Sequence, residues 1–278
     1  MVVATRGSLR RMTGCLAIAA IAGCSSSSGT STGTTTSSAA GTTTRVSSTP
    51  SRADVPTTGG PGATATTTGA GASTTTPATT TNTATLAPVP DALASLEAGA
   101  EDVIDLVPDA GWAKIAREVD TMRTTWAGFR ATAARDDAAM AERVDRALGA
   151  LADAAKAKAG VATTQAANDV SAPLIELLSR YDLGRPVQIG RLDVIGRQIV
   201  IDADARNLAA AGTQIAAART EWTAVRADVL GHDGAKVSAR AEAALDALQR
   251  AVDARDATTV SRKATELLEI VDAMEGLY

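Results

Sequence analysis

The sequence is poor in the residues that build metal sites and active sites. Its 278 residues contain one histidine, His232, and two cysteines, Cys15 and Cys24. A metal site needs several converging ligands, and the Glu-x-x-His pair of di-iron helix bundles is absent. The sequence also lacks a nucleophile elbow, a haem attachment motif and a glycine-rich phosphate loop in a strand–loop–helix context. We therefore expect a protein that is not an enzyme and that holds no metal or cofactor.

Aromatic side chains are scarce as well, and all six lie in the later part of the chain: Trp112, Trp126, Phe129, Tyr181, Trp222 and Tyr278. Residues 25–90 contain none, and 34 of these 66 positions are serine or threonine. Such a segment cannot bury enough apolar area to offset its chain entropy, so we expect it to be disordered. Residues 91–278 remain, and 188 residues suffice for one domain with a sizeable core.

Positive charge is also low in the part that is expected to fold. Residues 91–278 carry 22 basic and 30 acidic residues, a net charge of −8, whereas the whole chain carries −4. An acidic domain repels phosphate backbones, so we expect no nucleic-acid partner.

The chain opens with a basic segment and a short apolar run. Three arginines precede residues 12–23, a run that is too short for a stable membrane-spanning helix and is typical of a secretory signal. The run ends in Ile21-Ala22-Gly23-Cys24, which resembles the lipobox of bacterial lipoproteins at all four positions. The resemblance implies removal of residues 1–23, with Cys15 among them, and attachment of lipid to Cys24. The alternative is an ordinary signal peptide with a chance cysteine.

A lipidated Cys24 determines where the protein would work. Several acyl chains anchor a protein firmly to a membrane. The resemblance thus implies a protein of the cell membrane or outer membrane that faces the periplasm or the exterior. Residues 24–90 would then form a tether, with a root-mean-square span of roughly 45 Å. The implied partners are the membrane, through the lipid, and an envelope protein or a small ligand.

From Asp91 onwards, apolar residues recur every three or four positions, which is typical of amphipathic helices. We expect Asp109 to cap the second helix, Asp136-Asp137 to start the third, and Gly160 to end it. Pro173 lies inside the fourth apolar stripe and predicts either a kink or a late helix start.

The pattern then repeats, which predicts an internal duplication. Trp126 is matched by Trp222 after 96 residues, and Tyr181 is matched by Tyr278 after 97. The repeat units are about 91–184 and 187–278, each with four helices. We therefore expect an all-α fold, built either as two packed four-helix bundles or as one larger bundle. Because residues 187–230 lack proline, the first two helices of the second unit could fuse. Both tryptophans are expected in the core.

One dense group of charged residues lies at the junction between the repeats: Arg191, Asp193, Arg197, Asp202, Asp204 and Arg206. It is either a solvated helix face or a polar site.

His232, in Gly231-His232-Asp233-Gly234, is expected in a helix-capping turn.

The duplicated helical pattern behind a lipobox-like segment resembles imelysin-type secreted bacterial proteins, which have paired four-helix bundles and a His-x-x-Glu motif. The nearest match here is Gly190-Arg191-Leu192-Asp193, which lacks the histidine, so no site residue carries over. We expect a non-enzymatic binding or scaffolding module on an envelope lipoprotein. The alternative is a ligand- or metal-binding accessory protein for uptake.

Overall fold

The computed structural model describes residues 86–278, and eight α-helices account for most of that part of the chain. They are α1 (Asp91–Leu106), α2 (Trp112–Asp136), α3 (Ala138–Lys156), α4 (Gly160–Leu178), α5 (Val187–Asp204), α6 (Leu208–Gly231), α7 (Ala235–Asp253) and α8 (Ala257–Glu275). Within residues 86–278 the extended pairing is one isolated bridge, between Pro88 and Asp182. The predicted all-α class is confirmed.

The eight helices form two closed bundles of four. In the first bundle, α1 and α3 each pack against both α2 and α4. The second bundle repeats this order, since α5 and α7 each pack against both α6 and α8. The two bundles meet along α4 and α5. Of the two predicted arrangements, the described residues therefore adopt the pair of bundles.

Each bundle has its own hydrophobic core. Trp126 lies in the first core and is 4% exposed, while Trp222 lies in the second and is 5% exposed. The prediction that both tryptophans are buried is confirmed. Small residues on the buried stripes let the helices approach closely, as at Gly196, where an added Cβ would lie 2.7 Å from Leu268 Cδ2.

Of the three helix boundaries predicted from the sequence, one agrees with the structure and two differ. Asp137 caps α3, and its side chain accepts a hydrogen bond of 3.0 Å from the Met140 N–H. The prediction for Asp109 was wrong, because Gly111 is the N-cap of α2 and supplies no side-chain bond. Gly160 begins α4; α3 ends before Lys158, which takes the left-handed conformation (φ 52°) that glycine usually adopts.

Helix continuity excludes one of the two alternatives predicted at Pro173 and corrects the expected fusion of α5 with α6. α4 begins at Gly160 and continues through the buried Pro173, so the proline does not delay its start. α5 and α6 do not fuse even though no proline separates them. Arg206 has a φ of 57° and reverses the chain, and the Asn207 side chain then caps α6 by accepting a bond from the Ala210 N–H.

The turns of the two bundles share their backbone geometry at the predicted spacings. Ala110 and Arg206, 96 residues apart, both have a positive φ, of 51° and 57°. Lys158 and Arg255, 97 residues apart, do so as well, at 52° and 55°. The hydrogen bonds around them match: Gly111 N–H bonds to Leu106 O as Asn207 N–H bonds to Asp202 O. These matches support the duplication, which stays a prediction.

Candidate binding site at the junction of the two bundles

α5 carries most of the charged group that the sequence singles out, and it contacts α4, α6 and α8. Arg197 and Asp202 are buried, at 8% and 9% exposure, although charged side chains usually stay in water. The expectation of a fully solvated helix face does not describe these two residues. The group is also not one site, because its members lie on different faces of α5.

The first face of α5 contains Asp193 and Arg197, one helical turn apart. The Arg197 guanidinium donates a hydrogen bond from Nη2 to Asp193. The same nitrogen lies 3.4 Å from Oε1 of Glu101, on α1 of the other bundle. Nε of Arg197 is buried and has no hydrogen-bond partner among the described residues. Arg197 therefore links the two bundles through Glu101.

Carboxyl groups from three helices surround this arginine. Partial burial raises the pKa of Glu101, whose side chain is 48% exposed, and the charges of Asp193, Glu97 and Glu275 add to the shift while Arg197 opposes it. Burial likewise raises the pKa of Glu275 to about 7, against the effect of Arg185, whose Nη1 lies 2.8 Å from Oε1 of Glu275. The pKa values of Glu97 and Asp272 are also raised, mainly by burial. We call the seven residues Glu97, Glu101, Arg185, Asp193, Arg197, Asp272 and Glu275 the junction cluster.

The second face of α5 contains Arg191 and borders a groove. Arg191 donates two hydrogen bonds of 2.8 Å to Glu176 on α4 and lies 3.7 Å from Glu221 on α6. These bonds raise the pKa of Arg191, so it stays charged. The groove has a volume of about 530 Å³ and lies between the bundles. Its apolar floor consists of Met140, Ala172, Ile175, Val194 and Ile195, and its charged rim consists of Arg143, Glu176, Arg191 and Glu221.

Further along the same face of α5, polar side chains form a seam with α4. Gln165 and Gln198 exchange two amide hydrogen bonds, of 2.8 and 3.0 Å. Asn168 donates to the Val194 carbonyl at 3.2 Å, and Gln198 donates to Asp202 at 3.2 Å. Oδ1 of Asn168 and Oδ2 of Asp202 are buried with no partner among the described residues. The contact between the bundles therefore includes buried polar side chains beside apolar ones such as Val187 and Val194.

Asp204 and Arg206 lie at and just beyond the C-terminal end of α5, away from the other members of the group. They border an open depression of about 410 Å³ at the end of the second bundle, together with Arg255 and Thr258. The structure therefore does not bring Asp204 together with Arg191, Asp193 or Arg197. Sequence reasoning also missed Glu97 and Glu101, whose spacing of four residues on α1 is visible in the sequence. The sequence does not show which residues of α5 and α8 lie beside them.

The histidine lies in the turn after α6, as expected. His232 is exposed, its Nδ1 lies 3.0 Å from the Asp228 carbonyl oxygen, and its ring centroid lies 4.4 Å from that of Tyr278. Among the described residues, no group of three or more histidine, cysteine, aspartate or glutamate side chains is arranged to hold a metal ion.

The lipobox, Cys15 and Cys24 lie outside the described residues, as does almost all of the predicted tether. None of the helices between residues 86 and 278 has the length and hydropathy needed to span a membrane. In comparisons with known proteins, the chain matches no family model, no curated protein and no solved structure.

Proposed function

We propose that this chain is a cell-envelope lipoprotein whose helical part is a non-enzymatic binding module, held away from the membrane by residues 24–90. The lipobox-like sequence that ends at Cys24 supports the proposed location in the cell envelope. The groove between the two bundles supports the binding role, and it is the single observation that carries it.

The groove has the features of a binding surface for a ligand or protein segment of mixed character. Its volume of about 530 Å³ falls within the usual range for ligand pockets, roughly 300–1,000 Å³. The Arg191 guanidinium is held in place by Glu176 and Glu221, so these charges are oriented before anything binds. Arg143 makes no ion pair with a described residue, and the contact of its Nη1 is with Met140 Sδ at 3.5 Å. A partner with an apolar group and a nearby acidic group would fit this arrangement.

The groove can be tested by filling it. Ala172 is partly exposed on the groove floor, so Ala172→Trp places an indole where a partner would lie. The matched control is Ala131→Trp, on the exposed face of α2, which does not border the groove. The anchored wild-type chain and both variants would be cross-linked in their native envelope and purified. Bound proteins and co-purified small molecules would then be identified by mass spectrometry.

We expect Ala172→Trp to reduce the bound protein or small molecule about tenfold or more, and Ala131→Trp to leave it unchanged. Circular dichroism melts would establish that both variants fold. Equal capture by the wild-type and Ala172→Trp chains would contradict a binding role for the groove.

The anchor is tested separately. Cys24→Ala removes the proposed acylated sulfur, so the chain should move from the membrane fraction to the soluble fraction, and its N-terminal peptide should lose the mass of the acyl groups. Cys15→Ala is the matched control and should stay in the membrane fraction. Membrane retention of the Cys24→Ala chain, or an unmodified Cys24 in the wild-type chain, would rule out the proposed anchor.

A further inference from the structure

We propose that a cavity beneath the segment that leads into α1 is a second binding site, and that it takes a small organic cation: an ammonium group on a short apolar body. The cavity is distinct from the groove, and the site requires neither the groove nor the lipid anchor. Its apolar walls and one carboxyl group without a partner define the ligand.

The cavity lies where the two bundles are joined and has a volume of about 220 Å³. Its lining is mainly apolar and includes Val89, Ala94, Ile175, Leu178, Leu183 and Val187. The two charged residues of the lining are Glu97 on α1 and Arg185 in the connection between the bundles. Since an apolar cavity of roughly 150 Å³ holds a benzene molecule, this one accommodates a body of that size with a short substituent.

Local contacts shape the cavity from two sides. On one side, the Asp182 N–H donates a hydrogen bond of 2.8 Å to the Ala87 carbonyl, which holds the segment with Val89 against the connection between the bundles. On the other side, Ile175 lines both the cavity and the groove, so it forms the wall between them. Gly190 lets α5 approach this wall, because an added Cβ would lie 2.8 Å from Ile175 Cδ1. The shape of the cavity is therefore set before anything binds.

Glu97 is the residue that selects the ligand. It is partly buried, and it makes no hydrogen bond or ion pair with any residue that the structure describes. Burial raises the pKa of Glu97, although the charges of Arg185 and Arg197 oppose the shift, because the carboxylate has lost water. An ammonium group in the cavity would supply a charged hydrogen-bond donor and hold the carboxyl group in its ionised form.

The neighbouring charges favour a cation over an anion. Arg185 is already paired, since its Nη1 lies 2.8 Å from Oε1 of Glu275. Arg197, the other arginine of the junction cluster, already donates to Asp193. An anionic ligand would therefore have to displace a carboxylate, whereas a cation meets a carboxyl group that has no partner to lose.

An organic cation also fits the cavity better than a metal ion does. Metal ions such as Ca²⁺ need several oxygen ligands that converge on one point. Between residues 86 and 278, no group of three or more histidine, cysteine, aspartate or glutamate side chains is arranged in that way. One carboxyl group beside apolar walls instead matches an ammonium group that carries an apolar body.

The site can be tested on the full chain with three probes of similar size: benzylammonium, benzyl alcohol and benzoate. They share a benzene ring and differ in charge, so they separate the apolar contribution from the charged one. Each probe would be titrated at pH 8 while methyl signals are followed by NMR. Val89, Leu183 and Val187 report on the cavity, Ile195 reports on the groove, and Leu248 reports on the core of the second bundle.

We expect benzylammonium to shift the cavity methyl signals and to bind about tenfold or more tightly than benzyl alcohol, with benzoate weaker still. Glu97→Gln keeps the size of the side chain and removes its charge. It should weaken benzylammonium about tenfold or more and leave benzyl alcohol within about twofold. The matched control is Glu142→Gln, an acid on α3 that pairs with Arg146 away from the cavity, and it should bind like the wild type.

A second variant preserves the test if Glu97→Gln folds poorly. Ala94→Leu extends a side chain of the cavity lining and should weaken benzylammonium and benzyl alcohol alike, by about tenfold. Ala98→Leu, on the exposed surface of α1 outside the cavity lining, is its control and should change neither. Benzylammonium binding that leaves the cavity methyl signals unmoved, or that is equal for the wild-type and Glu97→Gln chains, would overturn the cation site.

Discussion

At the scale of single residues, the buried side chains fall into two groups, apolar ones in the cores and charged ones between the bundles. Trp222 is 5% exposed in the second core, and Trp126 is 4% exposed in the first, where its Nε1 donates to Asp145 at 2.6 Å. Arg197 and Asp202 are nearly as buried but lie at the junction among polar partners. The tryptophans therefore fill the cores, and the buried charges mark the contact between the bundles.

The core assignment predicts a large stability loss on truncation. Trp222 is buried in the core of the second bundle, so Trp222→Ala would leave a cavity there and should lower the free energy of unfolding by about 3–5 kcal/mol. Trp112 is only partly buried, so Trp112→Ala should cost less. Denaturant titration followed by circular dichroism measures both. An unfolding midpoint unaffected by Trp222→Ala would show that this tryptophan is not part of the core.

The sequence predicts the buried tryptophans because helical spacing alone identifies an apolar stripe. It does not predict the pairing of Glu101 with Arg197. That contact joins residues 96 positions apart and depends on how two finished bundles meet. The spacing of six residues places Arg191 and Arg197 on different faces of α5, but the sequence does not show which helices those faces contact.

At the scale of helices, the ends are fixed by local chemistry that the sequence shows only in part. Asp137 is a recognisable cap, because its carboxylate bonds to the Met140 N–H at 3.0 Å and its other oxygen pairs with Arg180 at 2.7 Å. The left-handed conformations of Lys158 and Arg206 are not predictable in this way. Glycine is the usual residue in the left-handed conformation. At these two positions, the surrounding turn keeps a residue with a side chain in that conformation.

The cap of α3 gives a prediction at this scale. Asp137→Ala removes the hydrogen bond to Met140 N–H and the partner of Arg180, and should destabilise the chain by about 1 kcal/mol. Asp120→Ala, on the exposed face of α2, is the control and should leave the stability within about 0.5 kcal/mol. Chemical denaturation compares the two. Equal effects of the two substitutions would show that the cap contributes nothing specific.

At the scale of the part of the chain that the structure describes, two bundles, each with a core, meet through a contact that contains many polar side chains. The amide pair of Gln165 and Gln198, the ion pairs of Arg191 and the junction cluster all lie between them. Contacts of this composition resemble those between domains that move relative to one another. The groove therefore lies at a junction with the composition of a contact between domains.

The two bundles also show which features of the structure the repeat spacing predicts and which it does not. At the predicted spacings of 96 and 97 residues, Ala110 corresponds to Arg206 and Lys158 corresponds to Arg255. Both residues of each pair have a positive φ. Spacing could not decide between two bundles and one larger bundle, because both bury the same stripes. The groove was not predictable either, since its floor combines side chains from helices of both bundles.

The most direct test of the account is the comparison of wild-type, Ala172→Trp and Ala131→Trp chains, each anchored in its native envelope. The account predicts one protein or small molecule that co-purifies with the wild type and with Ala131→Trp, and that falls about tenfold or more with Ala172→Trp. The same partner recovered in equal amounts from all three chains would contradict the central claim that the groove between the bundles is where this protein binds.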